Sequence, residues 1–117
     1  MNITTDRLVL RRYSENDLMD LYEYLSDPEV VKYEPYRSMM LEETRGELDR
    51  RIFSDEMIAV ELKTSGKLIG NIYLGERANN TLEIGFVFNK DYWRHGYGFE
   101  SCTALIQEAF SKGTDRI

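Results

Sequence analysis

The pattern of apolar and polar residues divides the chain into β-prone and helical segments. Residues 7–13 (RLVLRRY) are short and β-prone, so we predict a first strand there. A helix is predicted next, starting at Ser14, and Asp27-Pro28 ends it because the residue before a proline avoids helical geometry. Its apolar face recurs with the spacing i, i+3, i+4 and i+7, as Leu18, Leu21, Tyr22 and Leu25.

The middle of the chain contains an irregular segment, a second helix and a hairpin. Residues 29–40 show no periodicity, whereas 41–53 carry apolar residues on one side and predict a helix that Gly46 weakens. Two β-prone runs, 57–62 and 68–74, flank the sequence TSGK, and a glycine turn between two strands predicts a hairpin.

The last part of the chain is predicted to form a strand, a loop and a helix. An Asn-Asn turn precedes the strand, which covers residues 81–88. After Gly98, apolar residues recur every three or four positions, which predicts a helix that ends at Lys112-Gly113. Cys102 lies on the apolar face of this helix, so we expect a buried structural residue and not a nucleophile. Together the elements indicate one α/β domain with a mixed sheet.

Composition narrows the possible classes of function. The chain has 117 residues, of which 42% are hydrophobic and 12% aromatic, as expected for one globular domain. Its formal charge of −6 argues against nucleic-acid binding and mildly favours cationic partners. One cysteine and one histidine exclude a Cys/His metal cluster, and we expect no metal. No apolar run has membrane-spanning length and the first residues lack a signal peptide's apolar core, so we expect no membrane association and a cytoplasmic location.

The loop YWRHGYGF, residues 92–99, lies between a predicted strand and a predicted helix. Unpaired amides and the helix dipole attract anions at such a junction, and glycines at 96 and 98 allow close approach of a phosphate. The loop lacks the dinucleotide fingerprint, whose third glycine would fall on Ser101. A tight turn and a phosphate site both remain open from these residues alone.

Residues 82–100, LEIGFVFNKDYWRHGYGFE, resemble the central motif of the GNAT superfamily of N-acetyltransferases. The segments TTDRLVLRRYSENDL and GKLIGNIYL resemble the RimJ/RimL-type branch, whose members acetylate protein N-termini, polyamines, aminoglycosides and other amines. The resemblance implies a central, mostly antiparallel sheet flanked by helices. It also implies an acetyl-CoA-dependent enzyme that transfers an acetyl group to a primary amine.

The resemblance also implies the residues that bind acetyl-CoA. The pantetheine arm would run along the edge of the predicted strand as an added strand would. Loop amides would hold the pyrophosphate. The residues assigned in this way are Phe86, Val87, Phe88, Arg94, His95, Gly96, Tyr97, Gly98 and Phe99.

Three further residues are candidates for the chemistry and for the amine. Glu83 is the candidate proton acceptor, and a solvated strand charge or a cross-strand partner is an equally good interpretation of it. Tyr33 and Tyr36 fall where this branch has a substrate-covering segment, although packing on the core would also explain them. Trp93 is expected either to anchor the loop or to contact ligand.

The family domain ordinarily continues beyond the motif helix, and residues 114–117 resemble the start of its next strand. We therefore expect residues 1–117 to be a truncated single domain in which strand 81–88 is an open, apolar edge. Such edges pair with other chains, so a homodimer through this edge is expected. The alternative function is an inactive domain that only binds coenzyme A or a partner protein.

Overall fold

Within residues 2–111, a five-stranded sheet forms the centre of the fold, with its strands arranged in chain order. The computed structural model describes residues 2–111, and for Asn80 the backbone alone. Every pairing within this range is antiparallel, which confirms the mostly antiparallel sheet that the family resemblance implied. The strands are β1 (Asn2–Thr4), β2 (Leu8–Arg11), β3 (Met57–Leu62), β4 (Leu68–Arg77) and β5 (Thr81–Phe88).

Three helices cover the two faces of the sheet: α1 (Leu18–Leu25), α2 (Leu41–Ile52) and α3 (Tyr97–Ser111). Side chains alternate across a strand, and the buried residues of β3 divide accordingly. Ala59 packs in one core with residues of α1 and α2, whereas Ile58 and Val60 pack in a second core with Leu105 of α3. The sheet therefore separates two hydrophobic cores, and β5 contributes to both.

The predicted elements agree with the fold in kind and differ at their ends. The first helix begins with a 3-10 turn at Glu15–Asp17, where Ser14 N–H donates to the Asp17 carboxylate (2.8 Å). Tyr24, rather than the predicted Tyr22, is fully buried on its inner face. β4 is longer than expected because Gly75, Glu76 and Arg77 pair with the start of β5.

The strand β1 was not predicted from the sequence. It has only three residues, which is too short for an alternating pattern to show. Its pairing with β2 sets Ile3 opposite Leu10. The predicted helix end at Lys112-Gly113 and the predicted strand start at 114–117 lie outside the described residues.

Cys102 packs against the core beneath α3, and burial raises the pKa of its thiol. A neutral, half-buried thiol matches the structural role expected from its position on the apolar face. No helix within residues 2–111 is both long and apolar enough to cross a bilayer.

Candidate functional site

The connection from β5 to α3 is held in place by two side chains. Asn89 is buried, its side-chain oxygen accepts the amide of Asp91 (2.9 Å), and its side-chain nitrogen donates to Glu23 (2.8 Å). Trp93 folds back, and its indole N–H donates to the carbonyl of Phe88 (2.9 Å). Trp93 therefore anchors the loop, and it also lines the cavity described below.

The loop then presents a row of free backbone amides at the start of α3. Arg94 and Gly96 have positive φ angles, 67° and 81°. Within residues 2–111, none of the amides from Arg94 to Phe99 donates a hydrogen bond. The first amide of α3 that does so is that of Glu100, which donates to the carbonyl of Gly96 (3.0 Å). Consecutive unpaired amides at a helix N-terminus form an anion-binding site. The geometry therefore favours the phosphate-binding interpretation of this loop over a simple tight turn.

A cavity of about 380 Å³ opens beside these amides. The ring of Phe86 lies 3.3 Å from the position that a Cβ on Gly98 would occupy, so a side chain there would press on β5. The cavity is lined by most of the predicted cofactor residues, namely Phe86, Val87, Phe88, Arg94, Gly96, Tyr97 and Gly98.

Two predicted cofactor residues lie outside that cavity. His95 stacks on the ring of Tyr97, with 5.4 Å between centroids. Phe99 is 81% exposed and lies in a separate groove that also contains Arg7. We therefore expect His95 and Phe99 to contribute to cofactor binding through their backbone amides and not through their side chains.

The outer edge of β5 offers backbone groups along the same cavity. Asn89 N–H donates to Ile69 C=O (2.8 Å), and the β4–β5 register continues without a shift to Thr81. Because hydrogen-bonding direction alternates along an antiparallel strand, the N–H and C=O of Phe86 and Phe88 face away from β4. The carbonyl of Phe88 accepts from Trp93, whereas the backbone of Phe86 faces the open edge in the described part of the chain.

A second cavity, of about 650 Å³, lies between the sheet and α2. It shares Glu34, Phe86 and Val87 with the first cavity, so these three residues form the neck between the two. Tyr36 and Glu83 line the second cavity. Tyr33 lines neither cavity: it is 88% exposed, and its ring contacts the ammonium of Lys32.

Glu83 has an ionic partner in the same hairpin. Its carboxylate lies 2.8 Å from a guanidinium nitrogen of Arg77, and the Glu83 side chain is 60% exposed. The same guanidinium also contacts the hydroxyl of Tyr73. Both the strand-charge role and the proton-acceptor role are compatible with this arrangement.

A buried polar network forms the floor of the second cavity. Arg51 is only 3% exposed, and it donates to Glu47 (2.6 Å), to the hydroxyl of Tyr13 (3.0 Å) and to the side-chain oxygen of Asn71 (3.1 Å). Tyr24 donates to the same oxygen of Asn71 (2.8 Å). Burial raises the pKa of both phenols, so they remain neutral donors at physiological pH.

Sequence reasoning missed this network because the sequence gives only one weak sign of it. Arg51 is in the last turn of α2, where a basic residue is ordinary. Asn71 sits in an apolar strand, and a polar residue at such a position was the single available signal.

Comparison with known proteins agrees with this geometry. Residues 7–117 match the family described as acetyltransferase (GNAT) domain. The chain belongs to the GNAT acetyltransferase family. An uncharacterized N-acetyltransferase of Bacillus subtilis, YnaD, is 35% identical, with 96% of this chain and 67% of that protein aligned. Members of the GNAT family use acetyl-CoA as the acetyl donor.

Solved GNAT structures share the fold. The GNAT-family acetyltransferase from Bacillus anthracis superposes with a TM-score of 0.90 at 31% identity, over 96% of this chain and 68% of that one. RimL, a ribosomal L7/L12 alpha-N-protein acetyltransferase in complex with coenzyme A, has a TM-score of 0.80 at 18% identity, over 97% and 70%. The chain thus spans about two thirds of the length of these GNAT proteins.

Proposed function

We propose that this chain carries out acetyl-CoA-dependent N-acetylation of a primary amine. The observation that carries the proposal is a row of backbone amides, from Arg94 to Phe99, that donate no hydrogen bond within residues 2–111. The row borders a cavity along the outer edge of β5, which no strand pairs within the same residues. A helix N-terminus binds phosphate groups through its unpaired backbone amides, and the amides of this loop supply such hydrogen-bond donors. Membership of the GNAT family gives this anion site its expected ligand.

The acetyl donor would occupy the first cavity. The amides of residues 94–99 would hold its pyrophosphate, and the edge of β5 from Phe86 to Phe88 would pair with its pantetheine arm. The outward-facing N–H of Phe86, at the neck between the cavities, is suited to donate to the thioester oxygen. A donor at that point stabilises negative charge as it develops on the oxygen.

The amine would enter through the second cavity. Its lining contains four carboxylates, those of Glu34, Glu47, Glu56 and Glu83, against two guanidinium groups, those of Arg50 and Arg51. This excess of negative charge favours an ammonium group over an anionic acceptor. Protein N-termini, polyamines and aminoglycosides all fit that requirement, and the lining does not choose among them.

The chemistry needs one proton acceptor at this cavity. An ammonium ion must lose a proton before its nitrogen can attack the thioester carbon. The C–N bond then forms as charge develops on the thioester oxygen, and the C–S bond breaks to release coenzyme A as a thiolate, which takes up the second proton that the nitrogen loses. We propose that Glu83 accepts the proton through water. Glu34 is the rival, because it lies at the neck, lines both cavities and has no ion pair within residues 2–111.

Calorimetry with acetyl-CoA and an acetyl-transfer assay test the proposal together. The amine panel contains a peptide with a free N-terminus, spermidine and an aminoglycoside. Binding with transfer to at least one of the amines is expected. Binding without transfer to any amine would favour the alternative function, a domain that only binds coenzyme A, and absence of binding would overturn the assignment of the loop.

A further inference from the structure

Arg7 joins the N-terminal segment to the first turn of α3, although 93 residues separate it from its partner, Glu100. The Nε of Arg7 donates to Oε1 of Glu100 (2.7 Å), and the Arg7 amide donates to Oε2 (3.0 Å). The hydroxyl of Thr5 donates to the same Oε2 (2.5 Å). Both oxygens of this carboxylate are therefore engaged by the N-terminal segment.

The guanidinium of Arg7 also lies against the two residues that join the loop to α3. Its Cζ is 4.4 Å from the ring centroid of Tyr97, a cation–π contact. Its Nη2 is 3.4 Å from the position that a Cβ on Gly96 would occupy. Within residues 2–111, neither Nη nitrogen donates a hydrogen bond, so packing and the Nε contact alone fix the orientation of this group.

The contact with Arg7 matters because the residues of the loop do not by themselves fix its backbone conformation. Gly96 adopts a positive φ and has more backbone freedom than any other residue type. Arg94 holds a left-handed conformation, with a φ of 67°, that non-glycine residues seldom adopt. Amides that must converge on one anion bind it well only if they are held in that arrangement beforehand.

The same contact offsets an unfavourable charge. Glu100 lies in the first turn of α3, next to the amides assigned to the pyrophosphate. A carboxylate there would repel a bound diphosphate, because like charges at short range raise each other's energy. The guanidinium of Arg7, 2.7 Å from that carboxylate, compensates its charge.

We propose that Arg7 is a positioning residue for the pyrophosphate loop, holding Gly96 and Tyr97 in place and neutralising Glu100. The inference rests on the proposed function, since it assumes that this loop binds acetyl-CoA. It assigns Arg7 no contact with the reacting atoms. It predicts that loss of the Arg7 side chain weakens binding of the pyrophosphate part of acetyl-CoA and leaves binding of the acetyl-pantetheine part unchanged.

The test compares Arg7→Gln with the parent protein on two donors, acetyl-CoA and S-acetyl-pantetheine, which lacks the pyrophosphate. We expect Arg7→Gln to raise the KM and Kd for acetyl-CoA roughly tenfold, with kcat at saturation unchanged. The KM for S-acetyl-pantetheine should not change. Arg7→Lys keeps the charge and loses the Nε geometry, so it should fall between parent and Arg7→Gln. The matched control is Arg12→Gln, whose exposed pair with Asp55 lies outside every described cavity, and it should behave as the parent.

The outcomes separate this inference from the proposed function. If Gly96→Val abolishes acetyl-CoA binding while Arg7→Gln binds as the parent does, the inference is overturned and the loop assignment stands. If Gly96→Val itself binds normally, the loop assignment fails and the inference fails with it. An equal loss on both donors would mean that Arg7 supports the fold in general, which also overturns the inference.

Discussion

The carboxylate of Glu83 on β5 lies 2.8 Å from the guanidinium of Arg77 on β4, and Glu83 lines the second cavity. If Glu83 accepts the proton from the amine, Glu83→Gln removes the acceptor and leaves the acetyl-CoA site intact. We expect kcat to fall by about 10²- to 10⁴-fold with an unchanged Kd for acetyl-CoA. The loss should shrink as pH rises, because more of the amine is then already deprotonated. Steady-state kinetics between pH 6 and 10 measure both effects.

Glu34→Gln is the matched comparison for that experiment, since it removes the same charge from the neck of the cavities. We expect it to change kcat less than Glu83→Gln does. The reverse order would assign the proton to Glu34 and leave Glu83 as the ionic partner of Arg77. Unchanged kcat in both variants would exclude a carboxylate base from this cavity.

The second prediction concerns the backbone of the loop. Gly96 has a φ of 81°, which a β-branched residue avoids, and a Cβ there would approach Nη2 of Arg7 at 3.4 Å. Gly96→Val should therefore displace the amides and abolish measurable acetyl-CoA binding, while the folded core persists. His95→Ala should bind nearly as the parent does, because the His95 side chain stacks on Tyr97 outside the cavity. Calorimetry on both variants, with circular dichroism to verify folding, decides the matter.

Sequence reasoning succeeded where a local pattern decides the structure. The periodicity of α1 and α3 and the β-prone runs on either side of the TSGK turn report burial directly, so those elements could be predicted. The loop between β5 and α3 could be predicted as well, since glycines at 96 and 98 allow backbone conformations, such as the positive φ of Gly96, that other residues avoid. The comparisons then confirmed the family to which that motif had pointed.

What the sequence could not predict depends on contacts between distant residues. Arg7 and Glu100 lie 93 positions apart, and each alone is an ordinary surface charge. Arg51 meets Asn71 only because the fold brings the end of α2 next to the middle of β4, and no spacing rule connects a helix end with a strand centre. Glu34 lies in an irregular segment that shows neither helical nor strand periodicity. The fold nevertheless brings it to the neck between the two cavities.

The third prediction concerns stability. Arg51 is buried, and Glu47 is its carboxylate partner at 2.6 Å. Glu47→Gln would leave a buried cation without its counter-charge, and breaking such a pair typically costs about 3 kcal/mol or more. Asp55→Asn breaks the exposed pair with Arg12 and should cost less than about 1 kcal/mol. Urea unfolding of the two variants measures the difference, and equal midpoints would show that the network contributes little.

The fourth prediction concerns pH and the contact between Arg7 and Glu100. Partial burial alone would raise the pKa of Glu100, but hydrogen bonds from Thr5 and Arg7 outweigh it and lower the pKa. A lowered folded-state pKa means that this stabilisation is complete above the unfolded value, about 4.3, and is lost as pH falls through the folded value. The stability difference between the parent and Glu100→Gln should therefore be constant near neutral pH and shrink below about pH 4.3. Urea unfolding between pH 3 and 7 measures it, and a difference that stays constant to pH 3 would contradict the lowered pKa.

The final prediction concerns the free edge of β5. No strand pairs with this edge within residues 2–111. Leu82 and Ile84 present outward-facing backbone groups along its first half, before the segment Phe86–Phe88 that is proposed to pair with the pantetheine arm. Unpaired edges with apolar side chains recruit further strands, so we predict that the 117-residue chain forms a two-fold dimer through β5. Sedimentation at micromolar concentration measures the oligomeric state. A monomer that melts cooperatively would contradict the prediction.

One substitution distinguishes this edge from any other contact surface. Ile84 directs its N–H away from β4, so Ile84→Pro removes a donor from the free edge without removing one from the β4–β5 ladder. Ile84→Ala is the control, because it removes side-chain packing and keeps the N–H. We expect Ile84→Pro to shift the protein to monomer and Ile84→Ala to remain largely dimeric. If both variants stay dimeric with the parent's affinity, the contact between the protomers lies elsewhere.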